Sequence, residues 1–553
     1  MKHMSLDAGS TAPDATWRAY LLGLLPALAL AAWLFPPEFL AGQGLFFHDG
    51  EISRDISGWL FFAHDGWQRP LLYTPWFNYP EGLSIAFTDS VPLMALLFKP
   101  IAGLLPEGFH YFGLWHAVAL AIQALGAVFL VRSLGCLGAL PALLAAAFAV
   151  LSPLWLARFG HSALLAQGIL LFALGAYFRA QRGRWSANQG TLVLALICQL
   201  ALLLHPYLLA MCYAIFVAWL IEQWRDERRF LIQLLRLGAS VAITLLLAAI
   251  LGFFGGDLPG NSAYGEQGLS LTSLWCGGYG SPWLTCEPGA GERYAYLGMG
   301  ALLAIALAVL LQGQRIPAAL RRHAGLVLVL LLLAAFAISN RVAVGDHIIA
   351  SFPLPEAMLP WMGMFEASAR FIWPLAYLLT FAALAALMLR GWAGILLVVI
   401  ALGLQWVDTA TRRDEIRIAA RLPEPVPDPA WERALRGIAH VSMYPAFGCG
   451  DIDPLAYLPV QKLVARQHAT LNTAYASRMP SDCDVKHARL QHEIRPGQLV
   501  LAPTALPAEG LPQGMRTAAM HGQCRALPIA PVLWGVARPQ ELLACRAEPA
   551  DEW

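Results

Sequence analysis

Long apolar segments recur along the chain and are separated by short charged segments. The first, YLLGLLPALALAAWLF at 20–35, follows a polar N-terminus that holds Lys2, His3 and Arg18. Further apolar segments lie near 110–131, 139–157, 162–178, 188–204, 207–221, 231–252, 295–312, 324–338, 371–389 and 392–407. Charge-free stretches of about 18 or more residues are typical of transmembrane helices. The pattern predicts about eleven spans. No small-residue cleavage site follows the first segment, so we expect an uncleaved anchor.

The positions of Lys and Arg between these segments predict an orientation. With residues 1–18 cytoplasmic, alternation of the spans places several basic sequences inside, namely Arg132, RAQRGR at 179–184, RDERR at 225–229, RIPAALRRH at 315–323 and Arg390. This distribution follows the positive-inside rule. The same alternation places other segments outside, namely 37–109, the surroundings of His161, 253–294, 339–370 and everything beyond about 408.

The segment DSVPLMALLFKPIAGLLPEGF at 89–109 interrupts this simple alternation. It is short for a span and carries Lys99 near its middle. We therefore expect an interfacial amphipathic helix that leads into the second span. A re-entrant or tilted crossing is the alternative, and the distribution of Lys and Arg speaks against it.

The composition of the chain changes after residue 408. A charged and then proline-rich sequence at 409–432 is typical of a linker. Beyond it, IAHVSMY at 438–444, GQLVLAP at 497–503 and APVLWGVA at 530–537 have the pattern of strands, and 455–467 has that of a helix. The sequence therefore predicts a membrane domain at 19–408 and a small extracytoplasmic α/β domain at 433–553, whose sequence contains no complete catalytic triad.

Composition agrees with this division and excludes some functions. Of the 553 residues, 58% are hydrophobic and 13% are charged, with a formal net charge of +1, which is too apolar for a soluble protein. Without a Lys/Arg tract the chain has no surface suited to nucleic acid. Ionisable residues are nearly absent from the centres of the predicted spans, which argues against an ion-coupled pump.

The nine cysteines divide between the two sides of the predicted membrane. Cys136, Cys198 and Cys212 lie in or beside spans, whereas Cys276, Cys286, Cys449, Cys483, Cys524 and Cys545 lie in segments predicted to be outside. Disulfides persist in oxidising compartments. We expect a Cys276–Cys286 bridge and two bridges in the C-terminal domain, for which three pairings are open. Buried free thiols are the alternative.

Charged and aromatic residues concentrate in the outer segment 37–109. It contains the carboxylates Asp49, Glu51, Asp55 and Asp89, together with Trp59 and Tyr79. Aromatic residues at a membrane interface are usually belt residues, but beside carboxylates they can form a wall on which a sugar ring stacks.

Cationic residues recur at the predicted outer ends of the spans. These residues are Arg158, His161, His205, Arg341 and Arg370. Their number outside the membrane runs against the positive-inside rule. Arginine binds phosphate with paired hydrogen bonds, so such a group can hold a lipid phosphate or pyrophosphate. Snorkelling toward lipid headgroups is the alternative for each of them.

Several motifs resemble known families. GWLFF at 58–62, YPEGLSIAFTDSVPL at 79–93, HYFGLW at 110–115, YLGMG at 296–300, FEASARFIWPLAYLL at 365–379 and YPAFGC at 444–449 are similar to an uncharacterised bacterial family of polytopic membrane proteins, a domain of unknown function. One span followed by a long outer loop with an acidic motif also resembles the GT-C glycosyltransferases. Those enzymes use polyprenyl-phosphate-linked sugar donors, so the resemblance implies a GT-C-like helical membrane fold.

The resemblance also implies roles for individual residues. In GT-C enzymes an acidic residue near the start of the first outer loop acts as catalytic base or contacts a metal, and the matching position is Asp49. This sequence has Asp-Gly-Glu where some relatives have Asp-x-Asp, which leaves the presence of a divalent metal open. Glu51, Asp55 and Asp89 are the supporting carboxylates, and Arg341 and Arg370 are the expected phosphate contacts. A helix cap or an ion pair with Arg54 is the structural alternative for Asp49.

The sequence thus predicts a glycosyltransferase of a bacterial inner membrane. It would move a sugar from a polyprenyl-phosphate-linked donor to an envelope glycan, lipid or protein on the periplasmic face. Two alternatives stay open, a flippase for lipid-linked oligosaccharides and a non-catalytic envelope assembly protein. A flippase needs buried cations along its crossing path, whereas the predicted cations lie at the ends of spans. An assembly protein would not depend on Asp49.

Overall fold

A computed structural model describes residues 14–48, 50–255, 264–289, 291–426, 428–450, 457–478, 482–529 and 541–553. Asp49 and the predicted strand at 530–537 lie outside the described residues. The first part of the chain contains the helices α1 Asp14–Leu34, α2 Pro37–Leu40, α3 Gly50–His64, α4 Pro92–Phe98, α5 Phe112–Ser133, α6 Ala139–Val150, α7 Pro153–Leu156, α8 Gly168–Gln181, α9 Ala187–Leu202, α10 Pro206–Glu227 and α11 Phe230–Leu251. A two-stranded hairpin of β1 Tyr73–Thr74 and β2 Leu83–Ser84 lies between α3 and α4.

The second part of the membrane domain is also helical. It contains α12 Met299–Gln312, α13 Ile316–Arg322, α14 Ala324–Ile338, α15 Leu359–Gly363, α16 Trp373–Met388, α17 Trp392–Asp408 and α18 Ala410–Ala419. The antiparallel strands β3 Arg341–Val344 and β4 His347–Ser351 form a hairpin after α14.

Of the about eleven predicted membrane spans, eight or nine correspond to described helices that are long and apolar enough to cross a membrane. In the described ranges, 8 helical segments are long and apolar enough to cross a membrane: Trp17–Leu34, Phe112–Ser133, Ala139–Leu156, Ser162–Gln181, Pro206–Glu227, Phe230–Leu251, Met299–Arg322 and Ser368–Met388. The helix α17 and the shorter α18 form a further candidate that is bent by 50°. The two remaining predicted spans are the shorter apolar helices α9 and α14. Every predicted apolar segment is therefore helical, and the prediction of a polytopic helical protein is confirmed.

Close contact between α5 and α8 shows how the bundle is packed. A Cβ atom at Gly168 would collide with the backbone of Ile122 and Gln123, and one at Gly126 would collide with the carbonyl oxygen of Gly168. Small residues at such positions allow helix backbones to approach each other in a membrane protein.

Contacts between arginine-containing segments mark one end of the bundle. At one end, Arg184 donates a hydrogen bond of 2.9 Å to the carbonyl oxygen of Arg132, and Arg225 donates one of 3.3 Å to that of Arg321. These are the segments that the sequence places together inside. The first outer segment and the C-terminal domain lie at the opposite end.

The C-terminal domain is built on a five-stranded mixed sheet. Its strands are β5 His440–Met443, β6 Thr470–Leu471, β7 Gln498–Pro503, β8 Cys524–Pro528 and β9 Glu541–Cys545, in the order β6-β5-β7-β9-β8. β6 and β7 both run parallel to β5, whereas β9 is antiparallel to β7 and β8. The helices of this domain are α19 Pro429–Leu435, α20 Tyr457–Arg466, α21 Cys483–Arg489 and α22 Gln513–Met520. The predicted α/β character of this domain is confirmed.

The segment predicted as a linker is largely helical. α18 occupies part of 409–432, and α19 begins before its end. Trp431 is buried and its indole N–H donates to the carbonyl oxygen of Pro528 at 2.7 Å. The guanidinium of Arg413 lies 3.4 Å from the ring centroid of Trp406. Charge in this segment therefore accompanies helix packing against aromatic rings rather than an extended linker.

The first outer segment lies between the membrane bundle and the C-terminal domain. Lys462 on α20 is buried and donates to the carbonyl oxygen of Phe47 at 2.6 Å. The N–H of Leu471 donates to the carbonyl oxygen of Trp76 at 3.0 Å, and that of Tyr79 donates back to Leu471 at 2.7 Å. Residues 76–79 thus extend the sheet beside β6, and this contact fixes the C-terminal domain over the outer ends of the spans.

Lys99 has a different environment from the one that the sequence predicts. Residues 92–104 form α4 and a 3-10 turn, a short apolar helix rather than a crossing. The ammonium group of Lys99 is buried and donates to the carbonyl oxygens of Phe62 at 2.6 Å and Gly66 at 3.2 Å. A cation at the C-terminal end of a helix satisfies free carbonyl groups, so Lys99 stabilises the end of α3.

The cysteines form the predicted bonds. Cys276–Cys286 is present, and the C-terminal pairing is Cys449–Cys483 and Cys524–Cys545. Cys136, Cys198 and Cys212 are buried free thiols. The Cys449–Cys483 and Cys524–Cys545 bonds lie in the domain that docks on the first outer segment.

Candidate active site

A buried arginine joins three carboxylates in the first outer segment. On α3, Arg54 lies one helical turn after Glu51 and next to Asp55. Its guanidinium lies 2.5 Å from the Glu51 carboxylate, 2.6 Å from that of Asp89 and 3.4 Å from that of Asp55. We call these four residues the acidic cluster. The side chains of Glu51 and Asp89 remain 31% and 28% exposed, so a ligand can reach both.

The carboxylates of the acidic cluster differ in their protonation. Burial raises the pKa of Asp55 well above its usual range, although Arg54 opposes this effect. Burial would also raise the pKa of Asp89, but Arg54 and His205 outweigh it and hold this pKa below its usual range. Asp89 is therefore a permanent anion at neutral pH, whereas Asp55 is buried against Arg54.

The loop that carries Asp89 is held in a strained conformation. Asp89 has a φ of 53° and Val91 a φ of 48°, and this left-handed region is unfavourable for a β-branched residue. A Cβ atom at Gly58 on α3 would collide with the hydroxyl groups of Thr88 and Ser90, so glycine allows the loop to lie on the helix. Tyr111 donates a hydrogen bond to the carbonyl oxygen of Ser90. Strain of this kind is commonly retained where it positions a functional group.

His205 connects the acidic cluster to the start of α10. Its Nδ1 accepts a hydrogen bond of 3.1 Å from the N–H of Tyr207, so in the neutral ring the proton is assigned to Nε2. Nε2 lies 3.4 Å from the Asp89 carboxylate. Burial lowers the pKa of His205, although Asp89 opposes this effect. The imidazole is thus a neutral donor that orients Asp89.

A second cluster has the opposite charge balance. Glu292 lies 2.6 Å from Arg158, 2.7 Å from Arg370 and 3.2 Å from His161. We call these four residues the arginine cluster. Burial would raise the pKa of Glu292, but Arg370 and Arg158 outweigh it and hold this pKa well below its usual range. Two guanidinium groups therefore share one ionised carboxylate, which leaves one positive charge in excess.

Tyr207 lies between the two clusters. The guanidinium of Arg370 is 4.7 Å from the ring centroid of Tyr207, and that ring is 5.4 Å from the ring of His205. Arg370 is close enough to Asp89 to lower the pKa of that carboxyl. The two clusters therefore form one continuous site at the start of α3, after α7, and before α10 and α16.

The C-terminal domain contributes a side chain to this site. The hydroxyl group of Tyr475 donates to Glu51 at 3.1 Å, and its ring lies 5.9 Å from the guanidinium of Arg54. Tyr475 belongs to LNTAYASR at 471–478, a segment that contacts the first outer segment again through Ser477, whose N–H donates to Phe87 O at 2.9 Å. The sequence gives no reason to connect this domain with the acidic cluster.

Some predicted site residues lie elsewhere. Arg341 is on β3 and 42% exposed, and its ion-pair partner at 3.9 Å is Glu266, which belongs to neither cluster. Trp59 is buried and donates to the carbonyl oxygen of Phe109 at 2.8 Å, so it presents no face to a sugar. Tyr79 stacks on His440 of the C-terminal sheet. Asp49 lies outside the described residues.

The sequence analysis did not identify Glu292, Tyr475 or Tyr207 as site residues, and it considered Arg54 only as an ion-pair partner of Asp49. The only signal for Glu292 is its position four residues before the YLGMG motif at 296–300. Its partners Arg158 and Arg370 are distant in sequence, so the ion pairs depend on how the spans pack.

The arrangement of the described acids does not suit a metal ion. The guanidinium of Arg54 lies between Glu51, Asp55 and Asp89, in the place that a metal ion bridging these carboxylates would take. Within the described ranges no group of three or more His, Cys, Asp or Glu side chains is placed to hold a metal.

Comparison with known proteins gives a family and a set of distant structural likenesses. No curated protein matches the sequence. Among solved structures, the Archaeoglobus fulgidus oligosaccharyltransferase in the apo form has a TM-score of 0.43 at 12% identity, over 88% of this chain and 69% of that one. The same enzyme tethered with an acceptor peptide containing the NVT sequon has a TM-score of 0.45 at 13% identity, over 94% and 74%. The archaeal oligosaccharyltransferase AglB from that organism, in complex with an inhibitory peptide and a dolichol-phosphate, has a TM-score of 0.41 at 12% identity, over 89% and 70%.

These likenesses are too distant to transfer an activity to this chain. The family match is more specific. The model described as "Domain of unknown function (DUF6311)" matches residues 24–410, and the DUF6311 C-terminal domain matches residues 430–525. Together the two matches include both clusters and Tyr475. The chain therefore belongs to the DUF6311 family.

Proposed function

We propose that this protein is a membrane glycosyltransferase that moves a sugar from a polyprenyl-phosphate-linked donor to an acceptor on the outer face. The observation that carries the proposal is that two clusters of opposite charge balance lie on either side of Tyr207, close enough for Arg370 to lower the pKa of Asp89. Such a reaction needs cations where the phosphate leaves and a carboxylate where the acceptor hydroxyl approaches. The arginine and acidic clusters supply these two groups within one site.

The arginine cluster is the proposed phosphate site. Arg158, in the turn after α7, and Arg370, just before α16, approach Glu292 from different parts of the chain, and His161 is 32% exposed beside them. A phosphate on the lipid would take the positive charge that Glu292 leaves uncompensated. Planar guanidinium groups bind phosphate oxygens in pairs, which also fixes the direction of the bond that breaks.

The acidic cluster is the proposed site of the acceptor. The acceptor hydroxyl loses its proton and forms a bond to the anomeric carbon, while the bond from that carbon to the phosphate oxygen breaks. Asp89 is ionised but weakly basic, which suits it to bind the hydroxyl and to offset positive charge on the sugar in the transition state. Glu51 is the second exposed carboxylate and the candidate proton acceptor. Asp49 retains its role only by resemblance.

The positions of these groups fit a donor held in the bilayer. Arg158, His161, His205 and Arg370 all lie at ends of apolar helices, where the headgroup of a membrane lipid would be. The distribution of Lys and Arg and the three disulfides support a periplasmic position for this face. We infer that the protein lies in a bacterial inner membrane with its N-terminus in the cytoplasm, and that the acceptor is an envelope glycan, lipid or protein.

The test is complementation of a strain that lacks this protein. Asp89→Asn and Arg370→Ala are compared with Arg341→Ala, which removes an arginine from the same face outside both clusters. Membrane levels are measured by immunoblot and envelope glycans by mass spectrometry. We expect the first two variants to lose the glycan that the wild-type chain restores, and Arg341→Ala to retain it. Wild-type glycan with Asp89→Asn would contradict the proposal and favour an assembly role, and Asp49→Asn tests the remaining carboxylate in the same assay.

A further inference from the structure

A polar cavity, lined by residues of neither cluster, lies where the C-terminal sheet meets the first outer segment. It has a volume of about 260 Å³, and its floor is formed by β5 and β7 through residues such as His440 and Gln498. Tyr79 forms one wall, and Lys486 and Arg489 on α21 form another. Small-molecule pockets are usually about 300–1,000 Å³, so this cavity suits a single small ring rather than an extended chain.

An aromatic platform forms one side of the cavity. The rings of Tyr79 and His440 are stacked, with centroids 5.2 Å apart and planes inclined by 26°. Nδ1 of His440 is hydrogen bonded to the hydroxyl group of Thr470 at 2.8 Å, which fixes the imidazole. Tyr79 is 39% exposed. The C–H face of a sugar ring packs well on an exposed aromatic ring, and neighbouring polar groups then bind its hydroxyls.

Lys486 is the unusual group in this cavity. It is 3% exposed, and its ammonium donates to the side-chain oxygen of Asn78 and to the carbonyl oxygen of Asn472. Both acceptors are neutral and an ammonium has three protons, so one donor is left over. Among the described residues, no carboxylate lies within ion-pair distance of Lys486, whereas Arg489 is paired with Glu81 at 2.8 Å. Burial of a cation without a directly paired anion is unfavourable. Glu81 acts on Lys486 only from beyond ion-pair distance and is itself paired with Arg489, so an anionic ligand would supply the direct partner that Lys486 lacks.

The strand β6 and the residues after it connect this cavity to the acidic cluster. Thr470 and Asn472 line the cavity, and Tyr475 donates to Glu51. Three residues of extended chain span at most about 11 Å. The backbone of Asn472 in the cavity wall therefore lies within this distance of Tyr475, the residue that contacts the acidic cluster.

We propose that this cavity binds one acceptor sugar that carries an anionic substituent, either a carboxylate or a phosphate. The ring would stack on Tyr79 and the anion would bind Lys486. That the sugar belongs to the acceptor rests on the glycosyltransferase function proposed above, whereas the binding of an acidic sugar does not. The sugar in the cavity would be the neighbour of the acceptor unit that forms the new bond, so the C-terminal domain would select the acceptor.

The test measures binding of three sugars to the full-length protein in detergent by saturation-transfer difference NMR. The probes are glucuronic acid, glucose 6-phosphate and glucose. We expect at least one acidic sugar to bind more than tenfold tighter than glucose, and the one that binds identifies the anion as carboxylate or phosphate. Equal binding of all three, or no binding of either acidic sugar, would overturn the proposal.

Two pairs of variants test whether the acidic sugar binds in this cavity. Lys486→Met should abolish the preference for the acidic sugar, whereas Lys462→Met, which removes another buried ammonium from the same domain, should leave it unchanged. Tyr79→Ala should weaken binding at least tenfold and Tyr79→Phe should not. Because Tyr79 is partly exposed, this pair remains decisive if Lys486→Met fails to fold. Retained binding with Tyr79→Ala, or with folded Lys486→Met, would overturn the assignment.

The same experiment separates this inference from the proposed function. Asp89→Asn should retain binding of the acidic sugar while losing transfer. If Asp89→Asn transfers normally and sugar binding still depends on Lys486, the acidic-sugar site is supported and the proposed glycosyltransferase function is refuted. Transfer that depends on Asp89, with no effect of Lys486→Met on the KM for the acceptor, would refute the acceptor site alone.

Discussion

Replacement of Glu292 by glutamine is the most informative perturbation of the site. Glutamine keeps the size of the side chain and removes the negative charge that Arg158 and Arg370 share. The side chains of these two arginines are 4% and 11% exposed, so solvent cannot replace the lost carboxylate. The variant therefore leaves two buried cations without a counter-ion, in the place where we propose that the lipid phosphate binds.

The expected magnitude follows from this burial. Removal of one partner from a buried ion pair costs about 3–5 kcal/mol of the free energy of unfolding. An anion that binds the folded state returns stability by RT ln(1 + [L]/Kd), or about 2.7 kcal/mol at a concentration of 100 Kd. Glu292→Gln should thus be less stable than the wild type in an anion-free buffer and should gain more stability from added phosphate.

The assay is thermal unfolding of the detergent-solubilised protein over a series of phosphate concentrations at constant ionic strength. Glu266→Gln is the matched control, because Glu266 and its partner Arg341 are 59% and 42% exposed and such pairs contribute about 0–1 kcal/mol. We expect the control to follow the wild type at every concentration. An unchanged unfolding midpoint for Glu292→Gln, or the same response to phosphate as the wild type, would refute an anion site at the arginine cluster.

Three further predictions concern the acidic cluster. Since the pKa of Asp89 is lowered, its ion pairs should stabilise the fold at all pH values above the usual Asp pKa of about 3.9 and lose this effect only as the pH falls through the lowered value. His205 contributes to this lowering, so in a profile of kcat/KM against pH, His205→Ala should shift the acidic limb to higher pH. An unchanged limb would contradict the role of His205. Gly58→Ala should cost about 1–3 kcal/mol of unfolding free energy and lower the transfer rate, because the added Cβ displaces the loop that carries Asp89. The control Gly66→Ala has no atom within 4 Å of the added Cβ and should be neutral in both denaturation and transfer assays. Tyr475→Phe should cost about 0.5–1.5 kcal/mol of unfolding free energy and reduce kcat several-fold. Tyr457→Phe, which removes a 2.8 Å hydrogen bond to Pro445 away from the clusters, should change stability alone. Equal kcat for the two variants would exclude a role for Tyr475 in the site.

The residues predicted for the site differ in where the structure places them. Asp89 and Arg370 are charged residues in apolar motifs, and each lies in one of the two clusters. Arg341 has the same sequence character but lies on an exposed hairpin. Trp59 lies on the same helix as Arg54 but faces the core. Residue type and predicted side of the membrane do not distinguish these cases, because the direction of a side chain depends on what packs against its element.

The sequence by itself determined the helical membrane domain, the α/β character of the C-terminal domain and the division of the cysteines. These properties depend on the composition of short segments, which is sufficient to predict burial in lipid or exposure to water. Only the tertiary structure decided which charges meet. Arg54 reaches Asp89 over 35 residues, Arg370 reaches Glu292 over 78, and Tyr475 reaches Glu51 over 424. Ion pairs between distant segments form when helices pack and a second domain docks, and a linear pattern of residues does not contain that information.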